Sequence, residues 1–195
     1  MTQLITKGDQ RFSISKAAHD AGISLGESLV GAGWDISRGK DSYDLDLIAA
    51  GLDSTGHVPD QDWFIYYGNK HAPGRVVGHS GDNLTGQGKG DDERIRCDFP
   101  AIPPSIQRIV FGVNIYRGEQ KRQTFGHVDN AFVRIFDKLS GTEYLRYNLT
   151  EQFGDVTLVV FGEVYRQGAM WLFRSIGQGE TRDQFRQDYG IRTKF

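Results

Sequence analysis

The chain has 195 residues, enough for one well-cored domain and short for two. Hydrophobic residues make up 38% and aromatic residues 12%, which excludes a disordered chain, and 25 glycines against 5 prolines favour a turn-rich β architecture over a helical one. With 25 acidic and 23 basic residues the net charge is near zero, so bulk electrostatics recruit neither nucleic acid nor a membrane surface.

The N-terminal MTQLITKGDQRF lacks the apolar core of a signal peptide, and no later stretch has the apolar length of a transmembrane helix. Cys97 is the single cysteine, which excludes an internal disulfide or a multi-thiolate zinc site and fits a reducing, cytoplasmic location. In chain order, 10–14 is predicted as a short strand, and the glycine-interrupted KAAHDAGISLGESL (16–29) takes no assignment. GAGWD (31–35) reads as a turn and 37–42 as a polar loop. Asp44-Leu45-Asp46-Leu47 alternates with period two, the pattern of a strand with one polar and one apolar face.

DSTGHVPDQD (53–62) is turn chemistry, followed by an aromatic strand at 63–67, a turn at 69–74 and a short strand at 76–77. Glycines at 81, 86, 88 and 90 deny the next segment any continuous side-chain face. Strands are then predicted at 93–99, 108–116, 131–136, 144–149, 157–165 and 170–176, and a closing helix at 181–189 with Phe185 and Tyr189 one turn apart. Many short strands with turn signals at this spacing predict an all-β domain, a sandwich or barrel spanning 1–195.

GDNLTGQGKGDDERI (81–95) carries the chemistry. It places Asp82, Asn83, Asp91, Asp92 and Glu93 at the two ends of a glycine-rich loop. Carboxylates packed this closely repel unless a cation or strong donors compensate. Calcium takes six to eight oxygen ligands, and glycines let the backbone bend several carbonyls toward one point. Magnesium prefers a rigid octahedron, and zinc and copper lack paired His or Cys here. An EF-hand is excluded: with Asp82 first and Glu93 twelfth, the third and fifth positions are Leu84 and Gly86.

Asp44 and Asp46 project from one strand face, and Asp35 begins the loop leading to them. Glu93 heads a row with Ile95, Cys97 and Phe99, so a carboxylate lies on the apolar side and needs a partner. For a single Asp-Gly turn, solvated acids are the better explanation; five oxygen side chains among four glycines point to a metal.

The stretches GAGWD, YDLDL, HSGDNLTGQGKGDDERI, FGHVDNAFVRIFD, RYNLTE, FGEVYR and WLFRSIGQG together resemble the TerD family of bacterial tellurium-resistance and stress-response proteins. The resemblance implies a β-sandwich of two mainly antiparallel sheets, with long calcium-binding loops and a short C-terminal helix. It implies one or two Ca²⁺ ions held by Asp44, Asp46, Asp82, Asn83, Asp91, Asp92 and Glu93, with Asp35 a further candidate and carbonyls around 86–90 contributing. It also implies a non-enzymatic role in assemblies of tellurium-resistance proteins, including a membrane-spanning partner at the cytoplasmic face of the inner membrane. Tyr43 stands where family members often carry another acid, which bears on the ligand number of the first acidic group.

The rival expectation is a calcium-dependent hydrolase with a spare carboxylate such as Asp91 as base. His79-Ser80 beside Asp82 offers triad residue types, but sequence neighbours seldom adopt that geometry. No P-loop, nucleophile elbow or dinucleotide fingerprint is present. Arg117, Lys121 and Arg122, with Arg134, Arg146, Arg166 and Arg174 on strands, are expected to pair with nearby acids at the surface.

Overall fold

The computed structural model describes residues 3–5, 11–16, 27–35, 43–84, 90–149 and 153–195. Among them the chain forms two six-stranded sheets. The strands are β1 (Gln3–Ile5), β2 (Arg11–Ser13), β3 (Glu27–Gly33), β4 (Leu45–Leu52), β5 (Phe64–Ile65) and β6 (Val77–His79), then β7 (Glu93–Asp98), β8 (Arg108–Ile115), β9 (Phe132–Asp137), β10 (Glu143–Asn148), β11 (Leu158–Gln167) and β12 (Met170–Glu180). One sheet runs β1-β10-β9-β3-β7-β6 and the other β2-β12-β11-β8-β4-β5. Every pairing is antiparallel except β1 with β10. This is the mainly antiparallel sandwich that the resemblance implies, and one of the two architectures that the spacing of strands and turns leaves open.

The core lies between the sheets. β7 keeps the predicted row Glu93, Ile95 and Cys97, all fully buried, with Phe99 just beyond the strand. Burial pushes the Cys97 thiol up to about 12, which makes it a packing group rather than a nucleophile. Phe99 meets Trp171 at 5.2 Å and Phe111 stacks with Phe161 at 6.0 Å, within the range of favourable ring pairs.

β4 departs from a half-polar strand: every residue from Leu45 to Leu52 is buried, including Asp46. The predicted turn at 31–35 is also corrected, because Gly31 and Gly33 lie inside β3. A Cβ on Gly31 would come within 2.4 Å of the Asp91 carboxyl, and one on Gly33 within 2.5 Å of the Gly90 carbonyl. These glycines mark close approach in a strand rather than a bend.

The C-terminal helix spans Arg182–Asp188, with the Thr181 side chain accepting from Gln184 N at 3.1 Å as its N-cap. Phe185 and Phe195 close over Phe64, and Phe185 meets Tyr189 at 4.8 Å. A single-turn helix at Gly118–Lys121 falls in what reads from sequence as a connection. No helix among the described residues is long and apolar enough to cross a membrane.

Candidate metal centre

β4 is paired on one side by β8 along its whole length, but on the other side β5 covers only Ala49 and Ala50. At Leu47 the backbone polar groups on that side would be left unmet. Two side chains from the opposite sheet take the place of the missing strand. Glu93 Oε2 accepts from Leu47 N at 2.7 Å, and His79 Nε2 lies 3.1 Å from Leu47 O. His79 Nδ1 accepts from Gly81 N at 3.0 Å, so Nε2 is the ring nitrogen that donates. Glu93 Oε1 accepts from Asn83 N at 3.2 Å, and His79 Nε2 lies 3.3 Å from Glu93 Oε2. The buried carboxylate is therefore compensated by backbone amides and an imidazole, and it clamps one sheet to the other.

Beside this clamp, Asp44, Asp46 and Asp82 each bring a carboxylate oxygen within 4.8 Å of the others. Asp44 and Asp46 are buried and Asp82 is exposed. Burial, followed by the charge of Asp82, pushes Asp44 up to about 6; Lys121 pulls the other way and Glu93 adds to the rise. Asp46 is pushed up to about 8, first by burial, then by Glu93 and Asp44, against a hydrogen bond from Asn114. Asn114 Nδ2 donates to Asp46 Oδ2 at 3.3 Å across the β4–β8 register pair.

Two oxygens at this centre, Asp44 Oδ1 and Asn114 Oδ1, are buried and have no hydrogen-bond partner among the described residues. Orphaned buried acceptors beside three converging carboxylates are what a cation satisfies. The donor set is all oxygen, which suits a hard ion, and His79 is engaged on both ring nitrogens. Oxygens around calcium at 2.3–2.6 Å lie at most about 5 Å apart, which the observed spacing meets. The residues fit calcium.

The other predicted site residues stand outside this trio, held by hydrogen bonds of their own. Asp92 Oδ2 accepts from Trp34 N and Oδ1 from Asn83 Nδ2, both at 3.0 Å, so Asp92 and Asn83 tie the two ends of the acidic loop together. Asp91 turns to the outer face over Gly31. There Arg134 grips it with two bonds, at 2.7 and 2.9 Å, and Arg94 Nε adds a third at 3.2 Å. Asp91 is thus half of a buried ion pair, unsuited to the base role considered above. Asp35 is exposed and accepts from Asn130 Nδ2 at 2.6 Å. Residues 85–89, including Gly86 and Gly88, lie outside the described residues.

Asn114 is absent from the acidic pattern that marks the site in sequence, although an amide within the apolar stretch IVFGVNI is a readable signal. From sequence His79 offers only a triad residue type, and its role in completing the edge of β4 depends on pairing that no local pattern reveals.

A family profile described as the TerD domain matches residues 1–186. The chain belongs to the TerD family. It is 41% identical over 181 residues to Tellurium resistance protein TerD of Serratia marcescens, covering 92% of this chain and 91% of the relative. It is 38% identical over 195 residues to General stress protein 16U of Bacillus subtilis (strain 168), covering 98% of each. Among solved structures, a homologue of telluride resistance protein (TerD) from Streptomyces coelicolor A3(2) superposes with a TM-score of 0.69 at 24% identity, over 85% of this chain and 96% of that one. That last likeness concerns the fold alone. These TerD-family relatives are named as resistance or stress proteins rather than as enzymes.

Proposed function

We propose that this TerD-family chain is a calcium-binding, non-enzymatic stress-response module in which the cation settles acidic loops into a partner-binding surface. The observation that carries the reading is the convergence of Asp44, Asp46 and Asp82 beside the orphaned oxygens of Asp44 and Asn114. Asp44, Asp46 and Asp82 hold the ion, with Asn114 the further oxygen beside Asp46. When bound, calcium cancels the mutual repulsion of these carboxylates. Asn83, Asp92 and Glu93 hold the loop ends in place around them.

A docking surface adjoins the centre. Tyr67 and Tyr116 meet edge to face at 6.1 Å, with Arg117 and Lys121 over the Tyr116 ring at 5.1 and 5.5 Å. Leu84, two residues from Asp82, is 58% exposed. An aromatic, cationic and apolar rim around a cation suits a protein partner. By its family the partner is another tellurium-resistance protein, including a membrane-spanning one at the cytoplasmic face.

Calorimetric titration of chelator-treated protein with calcium, repeated against magnesium, tests the reading. Binding that magnesium does not displace is expected, lost in Asp82→Ala and retained in Asp53→Ala, whose carboxylate serves Thr55 instead. Absence of heat in the native protein, or equal affinity in both variants, overturns it.

A further inference from the structure

A cavity of ≈ 440 Å³ opens against β2, β12, β11 and β8, beyond the C-terminal end of β4. Asp53, on its wall, is seven residues along the chain from Asp46, a separation on the order of 20 Å in extended backbone. The lining carries four guanidinium groups, from Arg11, Arg108, Arg166 and Arg174, against two carboxylates, from Asp53 and Glu163. Two of these guanidinium groups, those of Arg108 and Arg174, share the single carboxylate of Glu163.

The register explains the gathering. Arg11 on β2 lies opposite Arg174 on β12, and Arg174 lies opposite Glu163 on β11, so three charged side chains stand side by side across three strands. Like charges directly opposed across a pair destabilise a sheet unless an anion compensates. Glu163, 4% exposed, supplies part of this: its Oε1 lies 2.8 Å from Arg174 Nη2 and its Oε2 lies 3.6 Å from Arg108 Nη1. One carboxylate thus holds two guanidinium groups in fixed orientation without cancelling both. Arg174 also buries an Nε–H that has no partner among the described residues.

Asp53 adds little, since its Oδ1 accepts from both Thr55 N at 2.8 Å and Thr55 Oγ1 at 2.6 Å. Arg166 is pinned to the Ile102 and Ile106 carbonyls over the Trp171 ring, so it lends the cavity charge from a rigid position.

We infer that this cavity is a binding site for a phosphate monoester, with the phosphate seated between Arg108 and Arg174. Arginine forks match phosphate oxygens in pairs, and a phosphate monoester offers three acceptor oxygens and more than one negative charge to two guanidinium groups that share one carboxylate. The volume falls within the range of small-molecule sites and exceeds what a bare phosphate fills, so the ester carries a body. Ser54, Gln107 and Tyr165 furnish neutral polar groups for that body.

The test is calorimetric titration at low ionic strength with glycerol 3-phosphate, and co-sedimentation with vesicles containing phosphatidic acid, both in chelator. Glycerol 3-phosphate is expected to bind, at least tenfold more weakly in Arg108→Gln and Arg174→Gln and unchanged in Lys138→Gln, which removes one exposed charge elsewhere. Arg108→Lys keeps the charge but loses the fork, so it is expected to bind more weakly without loss of fold, as checked by the urea midpoint. Binding to vesicles alone, with the same arginine dependence, assigns the phosphate to a lipid headgroup and retains the site. Failure of both probes, or equal weakening in Lys138→Gln, overturns the inference. Chelator keeps this outcome independent of calcium binding.

Discussion

Replacing Asp46 with Asn should stabilise the cation-free protein and, at the same stroke, remove its response to calcium. Asp46 is 2% exposed and its carboxyl is pushed up to about 8 from an ordinary value of 3.8. At pH 7 the unfolded chain has released this proton and the folded chain still holds it. The unfavourable contribution is absent below the unfolded value, grows as pH rises, and is complete above the folded value. At about 1.4 kcal/mol per unit, the interval up to pH 7 corresponds to about 4 kcal/mol, and relaxation around the coupled Asp44 and Glu93 reduces it to roughly 2–4 kcal/mol.

Asn keeps an oxygen to accept from Asn114 and carries no charge. In chelator, Asp46→Asn should therefore melt roughly 5–15 °C above the native protein, at about 2–4 °C per kcal/mol for a chain of this size. In calcium the gap should close or reverse. The native protein gains about 4 kcal/mol at a thousandfold excess over Kd, and the variant gains almost nothing. Thermal melts of both proteins, with and without calcium, give the four numbers needed. A variant less stable than the native protein in chelator, or an equal calcium-dependent gain in both, would refute the electrostatic reasoning.

Asp91→Asn should lower stability by about 3 kcal/mol in urea denaturation, because it leaves Arg134 facing a weakened buried partner, while calcium stoichiometry by calorimetry stays the same. Glu180 predicts a pH dependence of its own. Burial, with the charge of Asp188, pushes Glu180 up to about 7 from 4.5, and its Oε2 has no partner among the described residues. The folded protein holds this proton over that interval, so stability falls as pH rises through it. Glu180→Gln should be about 1–3 kcal/mol more stable than the native protein above pH 7, an advantage that disappears below pH 4.5 in denaturant titrations.

Much of the fold is legible in the sequence because its signals are local. The alternation Glu93, Ile95, Cys97 marks β7, and Thr181 followed by the Phe185/Tyr189 pair marks the last helix. GAGWD misleads because glycine has two local meanings. Gly31 and Gly33 are small to admit Asp91 and Gly90, which lie some sixty residues away, and a window of five residues cannot show that. The acidic loop shows the same limit. Asp91, Asp92 and Glu93 are adjacent in sequence, yet Asp91 faces outward to Arg134, Asp92 accepts from Trp34 N just beyond the end of β3, and Glu93 enters the core. Sequence shows a density of acids; only the register distributes them.

That distribution separates two kinds of acid at the same end of the sandwich. Glu93 is satisfied within the protein, by two amides and beside His79, and it clamps β7 to the uncovered stretch of β4 with no cation required. Asp44, Asp46 and Asp82 are not satisfied in this way: burial and mutual repulsion push Asp44 up to about 6 and Asp46 up to about 8. On the calcium reading, then, the cation is not what folds the domain, since the clamp is built from residues that need none. Its effect is confined to the two strand acids and to Asp82, the member of the trio that comes from the loop. A site that joins a rigid strand to a loop through a single exposed carboxylate is suited to changing how that loop is presented, which is the property a partner-binding surface requires.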